Sequence, residues 1–284
     1  MEILLPETRR KRYRVKVLVT GHKGYIGSNL YKSLRAHGYE TVGIDLKDGE
    51  DVLYCLPKQK FDYVFHLAAL PSVQFSVENP SYSLRHNVLA TSVILEWAKN
   101  YGVSRVIFSS SAAASNIKSP YGLHKRMSEM ECKLYSDLYK IDTVCLRYFN
   151  VYSEDQAPSG PYSTVISAWM EGIREKKPLQ IDGDGEQARD FIHLSDIVNA
   201  NLFAMQCDEN FSGQCYDIGS GSSAKLNQIK HFIDARHEVS WIHRDARQGD
   251  IRESTAKISP FVEFGWGPCI SIEEGLKRCF KKAS

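Results

Sequence analysis

Tyr121 and Lys125 stand four residues apart in Tyr-Gly-Leu-His-Lys, directly behind Ser119-Pro120, a pair that reads as a helix start. At that spacing both side chains leave one face of the helix about a turn apart. A phenol of ordinary pKa near 10 is a poor base at neutral pH, but a neighbouring ammonium stabilises the phenolate and makes it a competent proton acceptor. The same pattern arises by chance as a plain helix-face pair, so its meaning depends on what surrounds it. Upstream, Arg105-Val-Ile-Phe-Ser-Ser-Ser111 reads as a buried strand that ends in three hydroxyls. Those serines either cap a strand end or stand at the carboxyl edge of a sheet, where α/β proteins place their chemistry.

A second cluster is Gly21-His-Lys-Gly24-Tyr-Ile-Gly27, which follows the β-branched run Val15 to Thr20 and precedes an amphipathic stretch from Tyr25 to His37. Gly21 permits a sharp turn, Gly24 lets the backbone approach a pyrophosphate, and Gly27 allows helix to pack closely on strand. Tyr25 and Ile26 open the helix whose amino end would receive the phosphates. Asp45 closes the next strand, where a carboxylate accepts hydrogen bonds from adenosine ribose hydroxyls and repels a 2′-phosphate, which favours NAD over NADP. Because Asp48, Gly49 and Asp51 follow at once, Asp45 also fits an ordinary turn aspartate.

These residues need a scaffold. Short β-branched runs alternate with longer amphipathic ones: strand-like at Val15 to Thr20, Thr41 to Ile44, Tyr63 to His66, Arg105 to Ser109 and Thr143 to Leu146, helix-like at Tyr25 to His37, Pro80 to Asn100 and Tyr121 to Tyr139. Such alternation predicts parallel strands joined by right-handed crossovers, an α/β Rossmann-type doubly wound sheet. Beyond residue 150 the pattern breaks around Pro158, Pro161, Pro178 and Asp182-Gly-Asp-Gly185, which predicts a smaller, mixed α/β lobe. The expected division is a basic extension over 1–13, a nucleotide-binding and catalytic domain over 14–150, and a substrate lobe over 151–284, with segments around 189–206 returning to the first domain. Ser271 and Glu274 predict a capping box for the last helix, with which the chain would close.

The 284 residues carry 36 Lys and Arg against 34 Asp and Glu, a formal charge of +2 that supplies no general field for nucleic acid or membrane. Seven cysteines include no C-x-x-C pair, which argues against a zinc site and a disulfide framework and predicts no bound metal. Without a signal-like or membrane-length apolar run, the expected location is cytoplasmic. The basic run Arg9-Arg-Lys-Arg12 with Arg14 reads as a solvated extension.

The glycine spacing G-x-x-G-x-x-G, the Tyr-x-x-x-Lys pair and the strand-ending serines together resemble the extended short-chain dehydrogenase/reductase family, and in particular its NAD-dependent nucleotide-sugar 4-epimerases. The resemblance implies a catalytic Ser111 hydrogen-bonded to the reacting sugar oxygen, beside Tyr121 and Lys125. It further implies that NAD is lined by Leu67, Ala68 and Ala69 of His66-Leu-Ala-Ala69, by Asn87, by Asp51 and Val52 near adenine, and by Ser109 and Tyr148. For the sugar nucleotide it implies Asn150 and Arg189 at the diphosphate, Arg247 also on phosphate, Asp250 on the uridine ribose hydroxyls, and Val165 in the substrate pocket. Tyr121 would take a hydroxyl proton while hydride leaves the same carbon for the nicotinamide. If the 4-keto sugar turns over, the hydride returns from enzyme-bound NADH to its other face.

Ala112 and Ala113 follow Ser111 where related dehydratases and decarboxylases carry acidic residues, which leaves 4-epimerisation as the chemistry implied. Ser254 falls where the resemblance puts the residue closing the pocket around carbon 2, and Ser72 where a serine faces the substrate. Both imply acceptance of UDP-GlcNAc and UDP-GalNAc beside UDP-glucose and UDP-galactose. The connection from Ser111 to Tyr121 is shorter than in relatives and implies a more open pocket. A keto-sugar-nucleotide reductase consuming NADH or NADPH, and a catalytically idle NAD or nucleotide-sugar binder, are the competing readings. The resemblance also implies that helices over Pro80 to Asn100 and Tyr121 to Tyr139 pair with those of a second copy in a homodimer.

Overall fold

The computed structural model describes residues 14–158, 163–246 and 252–281. The basic run Arg9 to Arg12 and the expected ligands Arg247 and Asp250 lie outside them. Arg14 is exposed, with Nε donating to the Gly38 carbonyl.

The chain runs β1 (Lys16–Thr20), α1 (Tyr25–Ala36), β2 (Glu40–Ile44), β3 (Tyr63–His66), α2 (Val73–Glu78), α3 (Pro80–Leu84), a π-helical turn (Arg85–Leu89), α4 (Ala90–Tyr101), β4 (Arg105–Ser111), α5 (Pro120–Tyr139), β5 (Asp142–Tyr148) and β6 (Asn150–Tyr152). It continues through α6 (Val165–Arg174), β7 (Leu179–Asp182), β8 (Ala188–His193), α7 (Leu194–Gln206), β9 (Gln214–Ile218), β10 (Ser223–Lys225), α8 (Leu226–Asp234), β11 (Trp241–Arg244), β12 (Glu253–Ser254), α9 (Ser259–Val262) and α10 (Ile272–Cys279).

Six strands form one sheet in the order β2-β1-β3-β4-β5-β9, every neighbouring pair parallel. Strand order reverses at β1, so a crevice opens at the carboxyl ends of β1 and β3, the place where such sheets receive ligands. Apolar side chains bury both faces. Val17, Val19, Phe65, Ile107 and Val144 pack with Leu30 and Leu34 of α1 and Ile197 and Ala200 of α7 on one side. Leu18, Val64, Val106 and Phe108 pack with Ile94, Leu95 and Cys132 on the other. Residues running inward on both faces explain why these strands read as near-continuous apolar runs rather than alternating ones.

A smaller body is built around Trp169, Ile181, Phe191, Ile229 and Leu276. There β8 pairs with β10, β12 and β6, and β7 pairs with β11. The chain re-enters the large sheet twice: α7 packs against α1, and β9 adds the strand beside β5. Neither the place of β9 in that sheet nor the short helix α2 before Pro80 has a local sequence signal. Ser271 does cap α10, its hydroxyl accepting the Glu274 N–H at 3.2 Å. The Glu274 carboxylate turns instead to Arg278, so the reciprocal half of the expected box is replaced by an i,i+4 ion pair. Among the described residues no helix is long and apolar enough to cross a membrane.

Candidate active site

The turn after β1 is built so that only glycine fits. Gly21 has φ +72°, and a Cβ there would lie 2.7 Å from the Ala68 nitrogen; a Cβ on Gly27 would lie 2.1 Å from the Gly21 carbonyl oxygen. Gly24 is the N-cap of α1 and offers no side-chain cap, and no acidic residue stands in the first turn. The helix therefore presents its amino-terminal N–H groups and positive dipole end to the crevice, a cradle suited to a pyrophosphate.

Beside it lies a cavity of about 110 Å³ lined by Asp45, Asp51, Val52, Leu67, Ala68 and His86, among others. Asp45 accepts from the Lys23 N–H at 2.8 Å and the Lys47 N–H at 2.9 Å. It thus ties the glycine turn to the end of β2, as the turn reading has it, and also lines the cavity. Asp51 holds the next turn through the Leu53 N–H, and Val52 is buried against the core. Asn87 sits in the π-helical turn, where the widened backbone aims its side chain at Leu70: Oδ1 accepts the Leu70 N–H at 2.8 Å and Nδ2 donates to the Leu70 carbonyl. Its role in the structure is to hold the Leu67–Leu70 wall in place.

A second chamber, of about 510 Å³, is lined by Gly21, Gly24, Tyr25, Ile26 and Gly27 from the cradle together with Ser109, Ser111, Tyr121, Lys125, Tyr148 and Asn150. The three residues expected to carry chemistry thus face one space with the glycine turn. Pro120 begins α5 and Ser119 caps it, accepting the Gly122 N–H at 3.1 Å; the Tyr121 N–H is taken by Ser76 of α2. Ser111 Oγ accepts the Ala113 N–H at 3.2 Å, which leaves its own proton available to donate. The short connection after Ser111 is a single 3₁₀ turn, Ala112–Ala114, laid on the start of α5, where a Cβ on Gly122 would lie 2.6 Å from the Ala113 carbonyl oxygen. Close approach through a glycine lets so brief a loop bring Ser111 and Tyr121 to one wall.

Lys125 is buried, with Nζ donating to the Ser109 carbonyl at 2.7 Å and lying 4.7 Å from the Phe108 ring centroid. Burial lowers its pKa to about 8, against the opposing pull of Glu129. His66, though part of the crevice motif, is turned into the core between Thr20 and Thr91, and burial pushes its pKa down to about 3, so it is a neutral wedge. Tyr148 donates to Asn201 of α7 at 2.9 Å, and burial raises its phenol.

The chamber shares Asn150, Ser163 and Thr164 with a cavity of about 630 Å³ in the smaller body, whose lining includes Val165, Trp169, Arg189 and Arg244. Asn150 is fixed by donation to the Asp190 carbonyl at 2.8 Å, and Arg189 Nη1 donates to the Ala188 carbonyl. Ser254 on β12 lies in register beside Arg189. Ser72 caps α2 by accepting the Phe75 N–H at 3.1 Å, between Pro71 and Val73 of the chamber wall. Residues the sequence reading left without a role bind this frame together. Asp190, fully buried, accepts from the Ser220 N–H and hydroxyl and from the N–H groups of Gly221 and Ala256. No local pattern announces such a residue, because its partners come from remote turns.

The family model for the NAD dependent epimerase/dehydratase family matches residues 17–219. The chain is 33% identical to a putative UDP-glucose 4-epimerase from Methanocaldococcus jannaschii over 92% of its length and 96% of that protein. Among solved structures it is similar to a UDP-N-acetylglucosamine 4-epimerase from Methanobrevibacter ruminantium in complex with UDP-N-acetylmuramic acid, with 30% identity, TM-score 0.83, and 94% and 97% of the two chains covered. It is also similar to a UDP-glucuronic acid 4-epimerase from Bacillus cereus in complex with UDP-glucuronic acid and NAD, with 27% identity, TM-score 0.82, and 94% and 98% covered.

Proposed function

The chain belongs to the NAD-dependent epimerase/dehydratase family, and from that premise we propose that it is a 4-epimerase of UDP-linked hexoses, interconverting UDP-GlcNAc with UDP-GalNAc and UDP-glucose with UDP-galactose. The observation that carries this reading is the junction of two cavities: Ser111, Tyr121 and Lys125 face the glycine cradle, and through Asn150 the same chamber opens onto the pocket of Arg189. NAD, when bound, supplies the acceptor and then the donor of one hydride. Tyr121 takes the proton of the sugar 4-hydroxyl and later returns it; Lys125 stabilises the phenolate; Ser111 donates to the sugar oxygen as it becomes a carbonyl. Arg189 and Arg247 hold the diphosphate beside Asn150, Asp250 takes the ribose hydroxyls, and Val165 lines the pocket. Ser254, small and beside Arg189, leaves room at carbon 2 for an N-acetyl group.

The test is incubation of the protein with UDP-GlcNAc, UDP-glucose and UDP-glucuronic acid without added cofactor, with products read by proton NMR. C4 epimers of the first two are expected, and Tyr121→Phe is expected to abolish them. Turnover only with stoichiometric consumption of NADH or NADPH would establish the reductase reading, and exclusive use of UDP-glucose would remove the N-acetyl assignment. A homodimer is part of the proposal. Leu123, Met130, Leu134 and Leu138 form an exposed apolar stripe on α5, near Leu89 before α4, and pairing with a second copy would bury it. Sedimentation giving a monomer at micromolar concentration would refute it.

A further inference from the structure

Glu129 lies on α5 one turn beyond Lys125 and two beyond Tyr121, with its side chain 1% exposed. It accepts four hydrogen bonds. Arg147 meets it as a fork, Nε and Nη2 each at 2.7 Å; Ser110 Oγ donates at 2.6 Å and Arg126 Nη1 at 3.1 Å. Burial pushes its carboxyl up, but Arg147, Ser110 and Arg126 more than offset this and hold it below the usual range. Two donors have telling positions. Ser110 immediately precedes Ser111 on β4, Arg147 immediately precedes Tyr148 on β5, and the strands run in register with Ser110 opposite Arg147 and Ser111 opposite Tyr148. Side chains alternate along a strand, so Ser110 and Arg147 reach α5 from one face while their successors turn to the other.

We propose that Glu129 is a positioning residue for the reaction, a clamp that fixes helix α5, with Tyr121 and Lys125, to the two strand ends that carry Ser111 and Tyr148. The inference rests on the epimerase reading for its kinetic consequence. Bidentate Arg–carboxylate geometry is directional and tolerates little displacement. A charge so thoroughly enclosed serves the fold better as an apolar residue than as an ion pair, which makes a geometric purpose the better account of it. Loss of the clamp lets α5 slide against β4, so the separation of Ser111 and Tyr121 loses definition while the glycine cradle and the Arg189 pocket keep theirs. The chemical step suffers and binding does not.

The experiment compares wild-type protein with Glu129→Gln, Ser110→Ala and Asp142→Asn, the last a control. Asp142 pairs with buried Arg105 between the same two strands at their far, amino-terminal ends, so it matches the clamp in kind but not in location. Glu129→Gln is expected to lower kcat between about tenfold and about a hundredfold with KM within about twofold. Ser110→Ala, which removes one donor and leaves no charge unpaired, lowers kcat by a smaller factor with the same KM. Asp142→Asn lowers the melting temperature and leaves kcat within about twofold. If Glu129→Gln loses stability but keeps kcat, as the control does, the clamp is merely structural and the proposal falls. If the wild-type protein turns over no UDP-sugar, the epimerase reading falls instead. The clamp is then judged by crystal structures of wild type and Glu129→Gln, where a shifted Tyr121 relative to Ser111 supports it and an unmoved pair overturns it.

Discussion

Replacing Lys125 by methionine separates the cost of the buried charge from every other feature of the site. Burial holds this ammonium at about 8 instead of 10.5. At about 1.4 kcal/mol per tenfold change, keeping it charged at neutral pH costs the folded state about 3 kcal/mol. The folded-state pKa lies below the unfolded one, so from about 8 to 10.5 the unfolded chain holds more protons and stability rises with pH. Below about 8 both states carry the charge and the whole cost applies. Between about pH 7.5 and about pH 9.5 the wild-type protein should therefore gain about 2 kcal/mol that Lys125→Met does not. Cys145, whose thiol is pushed well above the usual range by hydrogen bonding to Cys132 together with burial, loses stability over the same window, but both proteins carry it and its contribution cancels in the difference. The measurement is urea denaturation of both proteins, free of cofactor, across that range. Constant terms, such as the Ser109 carbonyl left without its donor, cancel in the difference. Stability curves that run parallel with pH would refute the assignment of a strained, charged lysine. Activity should be nearly lost in the variant, a trade of function for stability at one position.

Three further perturbations probe the frame. Gly27→Ala places a methyl 2.1 Å from the Gly21 carbonyl oxygen, so about 1–3 kcal/mol of stability and most NAD affinity should be lost; unchanged cofactor binding by calorimetry would contradict the cradle. Asp190→Asn removes charge from a carboxylate that accepts four hydrogen bonds beside Arg189 and is expected to cost about 2–4 kcal/mol and to raise KM for the UDP-sugar, while an unaltered KM would separate Asp190 from the diphosphate pocket. Tyr25→Phe deletes the 2.7 Å bond to Ser153 that joins the cradle helix to the smaller body, so NAD dissociation followed by stopped-flow fluorescence should quicken about fivefold to tenfold; an unchanged rate would show the bond idle.

The parts legible in the sequence are those whose cause is local. Glycine spacing, the Ser119-Pro120 helix start and the Tyr121–Lys125 interval follow from backbone sterics within a few residues, and the structure brings them to one chamber. The strands of the first half fall within a few residues of their expected ends for the same reason. Features set by distant partners were not legible. The single helix expected over Pro80 to Asn100 is divided by a π turn because Asn87 must reach Leu70, 17 residues away. β9 belongs to the large sheet only by pairing with β5, a register that no local pattern encodes. His66 lies within the motif expected to line the cofactor, yet Thr20, 46 residues distant, turns its ring inward.

Among the described residues three phenols line the catalytic chamber, and composition alone cannot say which should move a proton. Tyr25 shares its hydroxyl with Ser153, and burial raises its pKa. Tyr148 donates to Asn201, and burial raises its phenol as well. Tyr148 is on a strand, and the lysine on the helix of Tyr25, Lys32, is exposed, so neither has a buried ammonium on its own element. His66, the imidazole closest to the task by residue type, is held neutral far below the working range. Lys125 is carried by α5 one turn from Tyr121, and the Ser109 carbonyl fixes its position. A charge in so dry a place acts strongly on whatever lies nearest, since little water screens it. In the proposed reaction Tyr121 is distinguished by position rather than by burial: it too is buried, and it shares a helix face with the buried cation.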